Sequence, residues 1–180
     1  ENTSGMQGVM IQMFNHGINI IGLWIVVDWI ERKYGTRKIS DLGGLAQKAP
    51  AAATFLVIIA LANIALPLTN AFAGEFLMFN GLLNSAVTKY YLWFTVFAGL
   101  SIILAAIYTL NMIRKVFYGT TNELTGGSGD IQLNEKIALG IIVLLIFIFG
   151  VYPQALLDVT QEVSDTILKK ADILPLLKKF

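Results

Sequence analysis

The chain has 180 residues, of which 56% are hydrophobic and only 14% charged, at a mean hydropathy of +0.67. A soluble domain carries about a quarter charged residues, so this composition is that of a membrane protein. A formal net charge of +1 leaves no basic field to attract nucleic acid. With no cysteine and a single histidine, a disulfide framework, a thiolate metal site, a thiol nucleophile and a histidine cluster are excluded, and no metal site is expected.

A bilayer core about 30 Å thick takes roughly 20 apolar residues at about 1.5 Å per residue. Glu1 to Gly5 are polar and lack both an initiator methionine and a basic leader, so the first apolar run does not read as a signal peptide. The chain is expected to begin within a longer protein. The first span is predicted over about 6–33 and ends in "DWIERKYGTRK", where Trp29 and Tyr34 supply interfacial aromatics and Arg32, Lys33, Arg37 and Lys38 supply charge. Asp28 and Glu31 at that end are expected to be solvated or paired with Arg32 or Lys33.

Between Lys48 and Lys89 the apolar run is too long for one ordinary helix and too short for two. Pro67 lacks an amide hydrogen and clashes with the carbonyl four residues back, so "LPLTN" ends one helix near Ala65. Asn70 is expected to cap a second helix starting near Ala71. The products are two half-helices, about 51–66 and 70–84, forming either one discontinuous crossing or a tight hairpin. Further spans are predicted over about 90–118, with Tyr90, Tyr91 and Trp93 at one end and Arg114 and Lys115 at the other, and over about 134–152, stopped by Pro153. "GGSGD" at 126–130 is a linker loop. Beyond Pro153, Leu156, Val159, Val163 and Ile167 recur at helical spacing with the charges largely on other faces, which predicts an amphipathic helix over about 154–170, on the membrane surface or a neighbour. A count of lysine and arginine by side mildly favours the hairpin, but four of its lysines lie in the tail; either way the loop at 31–48 reads as cytoplasmic.

Glu75 is the acidic residue well inside a predicted span. A charge at the bilayer centre costs at least about 2.5–3.5 kcal/mol, so intramembrane carboxylates face protein or water and mark ion or proton routes. Irregular backbone at that depth needs a polar or protein-lined setting, which points to a polar pocket beside the break at Pro67 to Asn70. On the first helix Gln12, Asn15, His16 and Asn19 fall within an arc of about 100° at about 100° per residue. Imidazole exchanges protons near neutral pH, which suits His16 to a relay; the alternative is a histidine that hydrogen-bonds between helices. Phe72, Phe76 and Phe79, three or four apart, are read as packing surface.

Three stretches, "IQMFNHG", "YGTRKISDLGGL" and "LPLTNAFAGEF", in this order and at these separations, resemble the antiporter-like subunits of respiratory NADH:quinone oxidoreductase (complex I). Among these they are most similar to the bacterial M chain, the equivalent of mitochondrial chain 4. The resemblance runs along essentially the whole sequence but covers only about the last third of such a subunit, implying a fragment, a split gene or part of a larger chain. It implies an all-α polytopic membrane helix bundle, a single membrane domain over 1–180, with one discontinuous transmembrane helix and a C-terminal amphipathic helix. The single crossing is thereby favoured over the hairpin.

By the same resemblance Glu75 and His16 lie on a proton path, Glu75 towards the periplasmic side. Gln12, Asn15, Asn19, Pro67, Thr69, Asn70 and Gly74 support them. Sister L and N chains and related antiporter subunits usually place lysine at the position of Glu75, which argues for the M type. The implied role is non-redox proton translocation in the bacterial inner (plasma) membrane. No cofactor is expected in this chain; flavin, iron–sulfur clusters and quinone are expected in partner subunits. The implied partners are the lipid bilayer, L-type and N-type chains and the remaining N-terminal part of the same subunit. Two departures stand out: Leu68 and Ala71 occupy positions where the family commonly has glycine, and the family's essential glutamate and lysines of earlier helices are absent. A subunit of a multisubunit cation/proton antiporter and a purely structural scaffold segment remain as alternatives.

Overall fold

The computed structural model describes residues 3–85, 89–127 and 129–177, with side chains to residue 171. Glu1, Ser128 of the "GGSGD" loop and the tail lysines Lys178 and Lys179 lie outside the described residues. Among the described residues six helices follow in order: α1 (Thr3–Tyr34), α2 (Pro50–Asn63), α3 (Asn70–Leu83), α4 (Tyr91–Val116), α5 (Leu133–Val151) and α6 (Gln154–Leu177). Single 3-10 turns occupy Ile39–Asp41 and Leu45–Gln47. Among the described residues three helices, α1, α4 and α5, are long and apolar enough to cross a membrane, with mean hydropathies of 1.4, 2.1 and 2.1. The two halves α2 and α3 have 14 residues each. At about 1.5 Å per residue neither reaches across a bilayer core of about 30 Å alone.

The choice between hairpin and single crossing is settled by which part of α1 each half touches. A Cβ built on Gly8 would meet Met78 N at 2.7 Å and Gly74 O at 2.9 Å, and one on Gly74 would meet Gln12 Cβ at 3.1 Å. Asn15 is hydrogen-bonded to Asn70, and a Cβ on Gly22 would lie 2.8 Å from Ile59 Cδ1. As α1 advances from 8 to 22, its partner falls steadily from 78 to 59. The halves therefore lie end to end along α1 and antiparallel to it, as one discontinuous crossing; a hairpin would lay both on the same stretch.

The apolar core gathers at the Arg32 end. Val26, Trp29 and Ile30 of α1, Leu56 and Ile59 of α2, Phe117 after α4, and Leu139 and Ile146 of α5 are buried together with Leu45 of the connecting loop. Polar pins close that end. Arg32 bonds Asp28 at 2.8 Å and Glu135 at 2.6 Å, and Lys33 donates to the Gly129 carbonyl. Glu31 pairs with Arg37 rather than with Arg32 or Lys33, because Gly35 at φ 69° ends α1 and turns the chain so that Arg37 folds back. Asp130 accepts from Ala51 N at 2.8 Å and Ala52 N at 3.1 Å, satisfying the first amides of α2. Gln132 and Glu135 form a capping box that starts α5.

The helix α6 reaches Leu177, further than the sequence pattern predicted. Its apolar stripe does not face the bundle: Val159, Val163 and Ile167 are exposed, while Ser164, on a neighbouring face, is fully buried. Hydroxyls on that face are consumed locally, Ser164 Oγ donating to Thr160 O at 2.8 Å, so the face packs closely without a polar debt.

Candidate functional site

The break between α2 and α3 is built from two chain reversals. α2 was expected to reach Leu66 but ends at Asn63, because Ala65 turns left-handed at φ 57°. Ala65 N bonds Ala62 O at 3.0 Å and Leu66 N bonds Leu61 O at 3.1 Å, the paired pattern of a Schellman motif with alanine where glycine is usual. Pro67 follows, then Leu68 at φ 74°, and Thr69 N closes the turn onto Leu66 O at 3.1 Å. Proline second and a positive φ third is the type II arrangement, which again favours glycine in the third place. Each left-handed non-glycine residue costs about 1–2 kcal/mol.

Asn70, expected to cap α3, is its first helical residue, and its Oδ1 accepts the amide of Ala71 at 2.9 Å. Thr69 is the N-cap, and its hydroxyl donates back to Leu66 O at 2.6 Å instead of receiving an amide of α3. The Asn70 side-chain NH2 is directed at α1. Asn15 Nδ2 donates to Asn70 O at 2.8 Å and Asn70 Nδ2 donates to Asn15 O at 3.2 Å, a reciprocal and buried pair. This pair ties the break to α1 where the two half-helices meet.

Polar atoms gather around that tie. Among the described residues, Gln12 Oε1, Asn15 Oδ1, both side-chain polar atoms of Asn19, and Asn63 Oδ1 at the end of α2 are buried without a hydrogen-bond partner. A buried unsatisfied polar group costs about 1–3 kcal/mol, so protein interiors seldom keep one and rarely cluster them. Those of Gln12, Asn15 and Asn19 follow one stripe of α1 past the break and suit hydrogen-bonded water better than apolar packing.

Glu75 and His16 are not brought together: among the described residues neither makes a hydrogen bond or ion pair. Gly74 takes the contact with Gln12, so Glu75, about 100° further round α3, is turned to α4. It lines a cavity of about 240 Å³ with Met78, Phe79, Leu82, Ala98, Ser101 and Ile102. His16 is exposed, unlike Asn15 and Asn19 of the same arc. It lies at the arc's edge, two turns from Leu23 on one stripe of α1, and Leu23 lines an open groove of about 930 Å³ with Asn63, Tyr108, Thr109 and Lys115. Thus α4 flanks both sites, the cavity at Glu75 on one side of the break and the groove at Asn63 on the other. Phe72 and Phe76 stack at 6.0 Å but are exposed rather than packed in the core.

A family model described as the transmembrane part of NADH:quinone oxidoreductase and Mrp antiporters matches residues 1–105. This chain belongs to that family. Subunit M of the NADH-quinone oxidoreductase of Rickettsia bellii (strain RML369-C) is 35% identical over 168 residues, covering 93% of this chain and 33% of the relative. The subunit M of Rhodobacter capsulatus is 32% identical over 158 residues, covering 87% and 30%. One chain of respiratory complex I from Thermus thermophilus with bound NADH superposes with a TM-score of 0.80 at 27% identity, covering 91% of this chain and 34% of that one. The chain thus spans about a third of the length of the curated relatives it matches. Family and apolar helices together make it a membrane protein.

For this member of the antiporter family, the leucine after Pro67 sits where a type II turn wants glycine, and it adopts the strained conformation all the same. Sequence reading missed Asn63 and the polar stripe of α4, Ser101, Tyr108 and Lys115 at seven-residue intervals, each of which lines the cavity or the groove. That spacing, two helical turns in an otherwise apolar span, was the available signal.

Proposed function

We propose that the chain is the C-terminal part of an M-type, antiporter-like subunit of a bacterial NADH:quinone oxidoreductase, and that it carries protons across the inner membrane without redox chemistry of its own. The observation that carries this reading is the setting of Glu75, a carboxylate in the apolar half-helix just beyond the break, opening to a cavity against Ser101 of α4. Intramembrane carboxylates in such settings serve proton relays. Glu75 takes up and releases the proton. The amides of Gln12, Asn15, Asn19 and Asn63 supply hydrogen-bonding positions along the break, and His16, on the α1 stripe that leads to the groove, is the second titratable relay. Pro67, Thr69 and Gly74 hold the geometry, Gly74 by letting Gln12 approach. Flavin, iron–sulfur clusters and quinone belong to partner subunits, and L-type and N-type chains are the expected membrane neighbours.

The family description also covers Mrp antiporters, and co-purification separates that reading, a subunit of a cation/proton antiporter, from the first. An affinity-tagged chain isolated from native membranes is expected to bring flavin and iron–sulfur subunits and NADH-driven quinone reduction with it. A chain that returns without them, in membranes exchanging cations for protons, would assign it to the antiporter branch instead.

A further inference from the structure

We infer that Gly150, near the end of α5, is a positioning residue for the helix break and, through it, for Glu75. This rests on the proton-transfer reading proposed above. A Cβ built on Gly150 would overlap the Leu68 carbonyl oxygen outright and would lie 2.6 Å from both Leu68 C and Thr69 C. These are backbone atoms, so no flexible side chain can swing aside. Leu66 and Leu68 are exposed, so the turn has little side-chain anchorage of its own. Its backbone is held on one side by the Asn15–Asn70 pair of α1 and on the other by the bare backbone of α5 at Gly150. Within that grip Leu68 keeps its left-handed φ of 74°. Asn70 begins α3 two residues after Leu68, and Glu75 follows in the next turn, so a shift of the turn moves the carboxylate relative to Ser101.

Four variants of the full assembly test this: Gly150→Ala, Gly150→Ala with Leu68→Gly, Gly140→Ala and Glu75→Gln. Gly140 lies on the same helix with nothing within 4 Å of an added Cβ, so it controls for helix propensity. Proton pumping per NADH oxidised is read in vesicles, alongside NADH oxidation by an artificial acceptor. Gly150→Ala is expected to lower the proton yield about tenfold, less than the roughly 100-fold that a misplacement of about 1 Å can cost, with acceptor activity unchanged. Leu68→Gly should restore much of that yield, because glycine lets the turn re-route around the new methyl group. Gly140→Ala should match wild type.

An assembled Gly150→Ala enzyme with wild-type proton yield overturns the inference, and so does a loss that Leu68→Gly leaves untouched. If Gly150→Ala does not assemble, the double variant decides: restored assembly supports the inference, and continued failure overturns it. Normal pumping in Glu75→Gln overturns the underlying proton-transfer reading. A loss in Glu75→Gln without one in Gly150→Ala overturns the positioning role alone.

Discussion

The two halves of the broken crossing have 14 residues each, yet they are held by different means. α2 buries Ala52, Ala53, Leu56, Ile59, Ala60 and Ala62 in the apolar core, and Asp130 satisfies its first amides. α3 buries only Asn70, Ala71, Gly74 and Gly81, with no large apolar side chain among them. Its start is a strained turn and its grip on α1 is an amide pair and glycine-backed contact. Inside a membrane, lipid is as apolar as a leucine side chain, so close packing and hydrogen bonds hold helices together. By that measure both halves are held, α2 by an apolar core and a carboxylate cap and α3 by close backbone approach and an amide pair, and it is the polar-gripped half that sets a carboxylate against a cavity.

The sharpest way to break this contrast is to damage α2. Ile59→Ala should cost about 2–4 kcal/mol through lost packing at a fully buried site, seen as a lower thermal-inactivation midpoint of the purified assembly. Asp130→Ala should cost about 1–2 kcal/mol by stripping the cap from α2, with proton yield per NADH unchanged in the enzyme that assembles. Asn70→Ala should cost about 1 kcal/mol in the same measurement while lowering proton yield, and a double-mutant cycle with Asn15→Ala should show that the two losses are not additive. Leu68→Gly should have the smallest effect on stability and the opposite sign to the others, a gain of up to about 1 kcal/mol once glycine's extra freedom in the unfolded chain offsets part of the relieved strain. If Asp130→Ala and Asn70→Ala changed stability and yield in the same proportion, the division between the apolar-packed and the polar-gripped half would be lost.

Much of this was legible in the sequence. Composition marked the spans, and Pro67 inside a run too long for one helix marked the break. The resemblance then favoured one crossing over two, which the pairing of α1 residues 8 to 22 with 78 to 59 bears out. What could not be read was which neighbour each arc of a helix would face. Periodicity put His16 in one arc with Gln12, Asn15 and Asn19, but α3 occupies only part of that arc and leaves His16 outside. Gly74 and Glu75 are adjacent in sequence, and it took the close approach of α1 at Gly74 to turn Glu75 towards α4. Likewise the apolar stripe of α6 was visible, but its packing by the Ser164 face was not, since small hydroxyl-bearing residues allow close helix approach without standing out in hydropathy.

The central claim is that Glu75 carries a proton in the polar-gripped half of the crossing. The most direct test is the number of protons moved per NADH oxidised by the Glu75→Gln enzyme in sealed vesicles, with assembly checked on the same preparation. Glutamine keeps the size of the side chain and its hydrogen-bonding reach but cannot ionise. The account predicts at least about a tenfold loss of turnover-coupled pumping, a conservative bound against the roughly 10²–10⁴-fold that a proton-transfer group contributes. A fully assembled Glu75→Gln enzyme that pumps at the wild-type yield and rate would contradict it.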